Sequence, residues 1–477
     1  MKSKLIWQSE EVVRAVNGRI SGTANWQATG VSIDSRTVQK GDLFVALKGP
    51  LHDGHDYVGG ALKAGAAAAL VSQQPKNAPD NAPLVVVEDT MKALEDLGYA
   101  GRTQAKAKII AVTGSVGKTG TKEMLRLMLS ASGDTYANEG SFNNQWGVPL
   151  SLARLPQDAQ FGVFELGMNH AGELGPLSRQ VQPHIALITN VEAVHLEFFP
   201  SVEAIADAKA EIFLGMNAEG IAVLNHDNAH FNRLDDAACA HGLQRIIGFG
   251  RSKLAEARLI DCQPASGGSA VRAEIMGRPV KYTLPVPGEH LALNSLGALL
   301  AAATAGADID QGAAALAHYQ PPKGRGVRQK ISRAGGDITL IDESYNASPA
   351  SVQAAIGVLG HMNPAAGGRR IMALGDMREL GKDSPALHAA LAPDLIKAKI
   401  NRVYCCGEMM KHLFDALPPT LRGSYAADSA ALAAPVAADL RADDIITVKG
   451  SNAIKMQRVV DAVKALGATQ NQRRTGS

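Results

Sequence analysis

Apolar residues along this chain cluster in short continuous runs rather than alternating with polar ones. KIIAV (108–112), FGVFELG (161–167), HIALITNV (184–191), GIAVLN (220–225) and RIIGFG (245–250) are each about one strand long. A run apolar at nearly every position predicts a strand covered on both faces, as in a parallel sheet flanked by helices. Between the runs the period changes. Met124, Leu125, Met128 and Leu129 recur at spacings of three and four, which predicts an amphipathic helix. Further on, ITLIDES, RRIMALGD, RVYCCG and DIITVKG repeat the strand–helix rhythm and predict a second doubly wound unit. Ahead of both, DLFVAL (42–47) and PLVVVED (83–89) read as strands, with an Ala-rich helix over YVGGALKAGAAAALV (57–71) between them.

Breakers divide these elements. The polar stretch AGRTQAKAK separates the first segment from the KIIAV strand, and the Pro/Gly cluster YQPPKGRG (319–326) predicts a hinge. The expected chain is α/β with three domains: a small N-terminal α/β domain (1–107), a central parallel-sheet domain (108–320) and a C-terminal Rossmann-like domain (321–477). The polar tail 468–477 is expected to be disordered.

A length of 477 residues agrees with three domains of about 150 residues each. A net charge of +2 predicts no nucleic-acid or acidic-membrane partner. Cys239, Cys262, Cys405 and Cys406 lack metal-ligand spacing and read as reduced thiols. The start, MKSKLIWQSEEVV, lacks the apolar core of a signal peptide, and no apolar run approaches a membrane span. The expectation is a cytoplasmic protein with no membrane insertion.

The candidate chemistry starts at TGSVGKTGTKE (113–123), between a predicted strand and a predicted helix. A Gly-rich turn in that position is a phosphate cradle: backbone N–H groups and the helix N-terminus converge on an anion. Gly114 and Gly117 let the backbone wrap phosphates, Lys118 adds a point charge, and Thr119 can hold Mg²⁺. The longer pattern G-x-x-x-x-G-K-[ST] wants glycine where this chain has Val112. Glu165 ends an apolar strand. In a parallel sheet strand ends face the ligand crevice, so Glu165 is either a solvated strand end or a Mg²⁺ ligand. His195 in TNVEAVHLEFF is likewise placed at a strand end, as a structural histidine or a ligand. Ser201 and Glu203 predict a helix start, and Lys209 falls in that helix's apolar stripe with Val202, Ile205, Ile212, Phe213 and Met216. Its amine either snorkels to water or is desolvated and reactive. Spacing alone does not choose.

With these residues in view, the chain resembles the Mur ligases, ATP-dependent enzymes that extend the peptide of the cytoplasmic peptidoglycan precursor. TGSVGKTGTKE is similar to that family's shortened P-loop, which also lacks the first glycine, although Gly120 stands where Ser or Thr is commoner. The resemblance implies that Gly114, Ser115, Val116, Gly117, Lys118, Thr119 and Gly120 bind ATP. SFNNQWGVPLSL resembles the family's Asn-bearing loop near the γ-phosphate, which implies a catalytic Asn143 and a substrate contact at Asn144. FELG matches its Mg²⁺-binding glutamate at Glu165. TNVEAVHLEFF with AKAEIF resembles a second metal site built from His195 and a carbamylated Lys209. The resemblance thus implies two Mg²⁺ ions, with Thr119, Glu165, His195 and Lys209 as ligands.

Further matches imply the rest of the ATP site. PGEHLALNSLGALLAA supplies His290 and Asn294 near adenine, KGRG supplies Arg325 from the hinge, and LIDESYNASP supplies Asp342, Tyr345 and Asn346. DSRTVQKGDLFVALKG resembles the N-terminal domain of the family's later members, which implies Ser35 and Arg36 in a pocket for the UDP-sugar. ALGDMRELG, DESYNASP and VKGSNAIKM resemble the member that joins D-alanyl-D-alanine to UDP-N-acetylmuramoyl-tripeptide through an acyl phosphate. Those two molecules are therefore the expected substrates, and a monomer is expected. The neighbouring member that adds the third stem residue, and a folylpolyglutamate-type ligase, are the alternatives.

Overall fold

The computed structural model describes residues 5–265, 268–333, 335–365 and 367–474. Among them the strands form sheets of nine, six, five and two. None of the described helices is long and apolar enough to cross a membrane.

In the nine-stranded sheet the strand Lys108–Thr113 lies between Phe161–Glu165 and Ile185–Ile188, parallel to both. Its side chains alternate between two cores. Ile110 and Val112 pack with Met124, Leu125 and Leu296 on one face, and Ile109 and Ala111 pack with Val148, Leu177, Ile205 and Phe213 on the other. Burial on both faces is why the run is apolar throughout. Glu165 pairs with Val112, and Ile188 with Thr113. The register therefore places a carboxylate beside the start of the Gly-rich turn.

Beyond Arg245–Gly250 the sheet continues through Ala257–Ala265 and turns antiparallel with Gly268–Ile275 and Arg278–Leu284. The last two strands meet in a tight turn at Met276 (φ 51°) and Gly277 (φ 78°), the backbone a two-residue hairpin requires. Sequence reading had no place for this meander. Its strands bury alternate residues (Val271, Ala273 and Ile275; Val280, Tyr282 and Leu284) and leave the other face in water.

The C-terminal sheet runs in the order Val327–Arg333, Gly336–Glu343, Ile445–Lys449, Arg370–Gly375, Arg402–Cys406, Arg422–Ala426. The first pair is antiparallel and the others are parallel. Glu343, Gly375, Cys406 and Lys449 lie at one end of that parallel set.

Three expectations need correction. The Ala-rich stretch is not one helix: the helix covers Val58–Lys63, and Ala68–Val71 is a strand between Asp42–Val45 and Leu84–Val86. Gly65 at φ 106° breaks the helix, and pairing on both sides overrides alanine's helix propensity. The polar separator is mostly the end of the helix Thr90–Gln104, capped by Asp89, whose carboxylate accepts the amides of Met91 and Lys92. That helix joins the units: Gly98 and Gly101 lie against Pro149 and Leu152, and Arg102 Nε donates to Val181 O at 2.7 Å. The tail, finally, is helical as far as Arg474 in the helix Gln457–Arg474. Once nucleated, a helix gains one bond per added residue. The last three residues of that tail lie outside the described residues.

Candidate active site

The Gly-rich turn folds between the strand Lys108–Thr113 and the helix Lys118–Ser130. Gly114 (φ 147°) and Gly117 (φ 89°) hold backbone that other residues rarely adopt. A Cβ on Gly114 would overlap Thr189 Oγ1, and one on Gly117 would overlap Asn294 Nδ2. Asn294 thus sits against the turn itself. Ser115 N–H and Val116 N–H donate to Asn190, to its carbonyl at 3.0 Å and its Oδ1 at 2.9 Å. Ser115 Oγ also accepts from Glu192 N–H at 2.9 Å. These bonds fix the turn on the neighbouring strand end. The helix's first return bond runs from Thr121 N–H to Gly117 O, so among the described residues the amides of Lys118, Thr119 and Gly120 are its unpaired N-terminal donors. Lys118 Nζ donates to Gly114 O at 2.6 Å.

Beside the turn, Glu165 is buried. Its Oε1 accepts from Asn143 Nδ2 at 2.7 Å, and its amide donates to Asn138 Oδ1 at 2.9 Å. Glu165 Oε2 and Thr119 Oγ1 are buried without a hydrogen-bond partner among the described residues. Two orphaned oxygens of this kind suit a hard cation. No group of three or more His, Cys, Asp and Glu that could enclose a metal occurs among the described residues.

Lys209 is 2 % exposed, which decides between snorkelling and desolvation. Burial, reinforced by the charge of Lys118, holds its amine well below the usual lysine range. Burial also lowers Lys118, opposed by Glu165 and aided by Arg325. Lys118, Lys209, Arg325 and Glu165 therefore share one electrostatic neighbourhood, in which the cations Lys118 and Arg325 outnumber the one carboxylate. Such an excess suits a polyphosphate.

Arg325 stacks on Tyr345, its guanidinium carbon 4.1 Å from the ring centre, and Tyr345 OH shares a 2.7 Å hydrogen bond with Ser141 Oγ. His290 is exposed on the first turn of the helix Glu289–Thr304, within electrostatic reach of Glu343 and Lys449.

Other expected contacts are engaged within the protein. Asp342 Oδ1 accepts from Ser344 N–H and Oγ, and Asn346 O accepts from Lys449 Nζ. Asn144 Oδ1 accepts the amides of Trp146 and Gly147. Ser35 and Arg36 belong to the N-terminal unit, where Arg36 pairs bidentately with Asp34.

His195 is not at a strand end. The strand stops at Ile188, and His195 lies seven residues on, at φ 57°. Its Nδ1 is 2.5 Å from Glu379 Oε2, and Glu197 N–H donates to Glu379 O at 3.2 Å. That hydrogen bond from His195 holds the Glu379 carboxyl below its usual range. A histidine whose Nδ1 meets a carboxylate presents Nε2, which is how ligating histidines are commonly oriented. Glu379, Asn138, Asn190 and Lys122 escaped sequence reading, although Glu379, Asn190 and Lys122 lay in the quoted motifs ALGDMRELG, TNVEAVHLEFF and TGSVGKTGTKE.

Three family models match the chain: Mur ligase family, catalytic domain (residues 27–102), Mur ligase middle domain (112–302) and Mur ligase, glutamate ligase domain (328–452). The chain is 35% identical to the UDP-N-acetylmuramoyl-tripeptide–D-alanyl-D-alanine ligase of Rickettsia prowazekii, over 96% of this chain and 99% of that one. It is similar to a crystal structure of MurF from Acinetobacter baumannii (TM-score 0.83, 29% identity, 97% of this chain and 99% of that one). It is also similar to the MurF ligase of Thermotoga maritima in complex with ADP (TM-score 0.76, 26% identity, 92% and 98%).

Proposed function

The chain belongs to the Mur ligase family, and from that membership we propose how its site works. It is an ATP-dependent amide ligase that joins D-alanyl-D-alanine to UDP-N-acetylmuramoyl-tripeptide in peptidoglycan precursor synthesis. The tripeptide's terminal carboxylate attacks the γ-phosphorus of ATP; an O–P bond forms and ADP leaves. The dipeptide amine then attacks the acyl carbon, the C–O bond breaks, phosphate departs, and the nitrogen gives up a proton.

The observation that carries this reading is that Lys118 lies within electrostatic reach of Glu165, Arg325 and Lys209, beside the unpaired amides of the P-loop helix. Those amides bind the phosphates, and Lys118 exchanges Gly114 O for a phosphate oxygen. Arg325, braced on Tyr345, reaches the same phosphates from the C-terminal unit. Most of the rate enhancement is positioning and charge neutralisation.

Thr119 Oγ1 and Glu165 Oε2 would hold one Mg²⁺, which bound there would neutralise phosphate charge. His195 and Lys209 would hold a second. An ammonium cannot ligate a cation, but a neutral amine can add CO₂: an N–C bond forms, a proton leaves, and the product is a carboxylate. The burial of Lys209 supports that state. We further propose that the enzyme acts as a cytoplasmic monomer.

The test is ATP-dependent phosphate release with UDP-N-acetylmuramoyl-tripeptide, comparing D-alanyl-D-alanine with single amino acids. Release with the dipeptide alone is expected. Release with a single diamino acid on the dipeptide precursor, or with a glutamate acceptor on a folate, would move the assignment to one of the alternatives.

A further inference from the structure

Lys122 is among the most deeply enclosed charged side chains of the molecule, with no exposed surface. It sits on the P-loop helix one turn beyond Lys118. Its ammonium has three protons and meets three acceptors: Asn138 O at 2.6 Å, Gly140 O at 3.2 Å and Glu123 Oε1 at 2.9 Å. Two of these are backbone carbonyls of the loop between the strand Thr135–Ala137 and the helix Gly147–Ala153, the loop that carries Asn143.

Asn138 joins that contact to Glu165. Its carbonyl takes the Lys122 ammonium, while its side chain spans the loop and the adjacent strand end. Oδ1 accepts from Glu165 N–H at 2.9 Å, and Nδ2 donates to Phe142 O at 2.9 Å and Glu165 O at 3.4 Å. Asn143 closes the circuit on Glu165 Oε1, leaving Oε2 without a partner. A buried ion pair is a poor source of stability, because desolvation offsets its attraction and an apolar side chain of similar size often does as well. What the lysine supplies is direction: a charge that holds two carbonyls fixes the loop as a methionine would not.

We propose that Lys122 is a positioning residue. It holds the 138–143 loop so that Asn138 and Asn143 aim the free oxygen of Glu165 at the cation of the nucleotide. The inference rests on the Mg²⁺ reading of Thr119 and Glu165 given above.

Calorimetric titration of ADP into the full-length protein, once with Mg²⁺ and once with EDTA, separates the possibilities. Wild type is expected to bind ADP more tightly with Mg²⁺; if it does not, the Mg²⁺ reading itself fails. In Lys122→Met the Mg²⁺-dependent gain is expected to fall about tenfold or more, while affinity in EDTA changes less than about twofold, with Lys122→Arg intermediate. A Lys122→Met protein that keeps the full gain, or loses affinity equally in both buffers, overturns the proposal and leaves the metal site standing. If Lys122→Met does not fold, Asn138→Ser decides, because it removes the clamp on Glu165 but retains the carbonyl facing Lys122. It must show the same selective loss, or the proposal fails.

Discussion

Ser141 and Tyr345, 204 positions apart, share a 2.7 Å hydrogen bond between the central and C-terminal units, and Arg325 stacks on the same tyrosine ring. One side chain thus ties the Asn143 loop to the arginine proposed to reach the phosphates. Tyr345→Phe keeps the ring beneath Arg325 and removes only the hydroxyl. A net hydrogen bond is worth about 0.5–1.5 kcal/mol, so kcat/KM is expected to fall about 2- to 10-fold. Adding Ser141→Ala to Tyr345→Phe should cost little more, because both changes delete one interaction. A steady-state double-mutant cycle reads this directly, and full additivity would show that the bond has no part in catalysis.

Gly117 combines a φ of 89° with contact against Asn294. Gly117→Ala should cost about 1–3 kcal/mol of stability through backbone strain and displace the turn from the phosphates. The expected result is ADP affinity reduced by at least about tenfold in calorimetry, with a lowered thermal midpoint. Unchanged binding would mean that the phosphates sit elsewhere.

Lys209→Ala removes the side chain that would carry a carbamate. Activity should fall by about 10²-fold or more, the loss typical when a positioned electrostatic group is deleted. Short carboxylic acids such as acetate should restore part of it by filling the vacated space with a carboxylate. A Lys209→Ala enzyme that is fully active without added acid would end the carbamate reading.

His184 offers a pH test away from the chemistry. Its Nδ1 accepts the Ile109 amide at 2.9 Å, which requires an unprotonated nitrogen. Burial, with Arg102 and Lys108 nearby, pushes its pKa from 6.5 down to about 4. Because the folded protein disfavours the charged ring, this contribution to stability is complete above pH 6.5 and is lost as pH falls from there towards about 4. His184→Asn retains an acceptor that does not titrate. Between pH 7.5 and pH 4.5 the thermal midpoint of wild type should fall by about 2–4 °C more than that of the variant. Equal slopes would remove His184 as the cause.

The parallel core of the fold was legible because its signal is local. A strand buried on both faces must be apolar throughout, so KIIAV and FGVFELG declare themselves without knowledge of their neighbours. The antiparallel meander 257–284 was missed although Val271, Ala273 and Ile275 alternate with polar residues, and the Ala-rich stretch misled because a strand inside a sheet can override propensity. Motif residues were likewise found one at a time. Lys209 had an ambiguous reading on its stripe until the fold enclosed it.

What the sequence determined by itself was the chemistry available: a Gly-rich phosphate turn with its lysine and threonine, a carboxylate at a strand end, a lysine on an apolar stripe. Tertiary structure decided which of these groups meet. The register of Glu165 on Val112 brings the carboxylate to the turn, the buried ammonium of Lys122 braces the loop that aims it, and Glu379 arrives at His195 from 184 residues away. Periodicity reports only what each residue's own element needs to bury. Pairings across such separations follow from strand register and from how loops of different units dock, and neither is written in any local window of the chain.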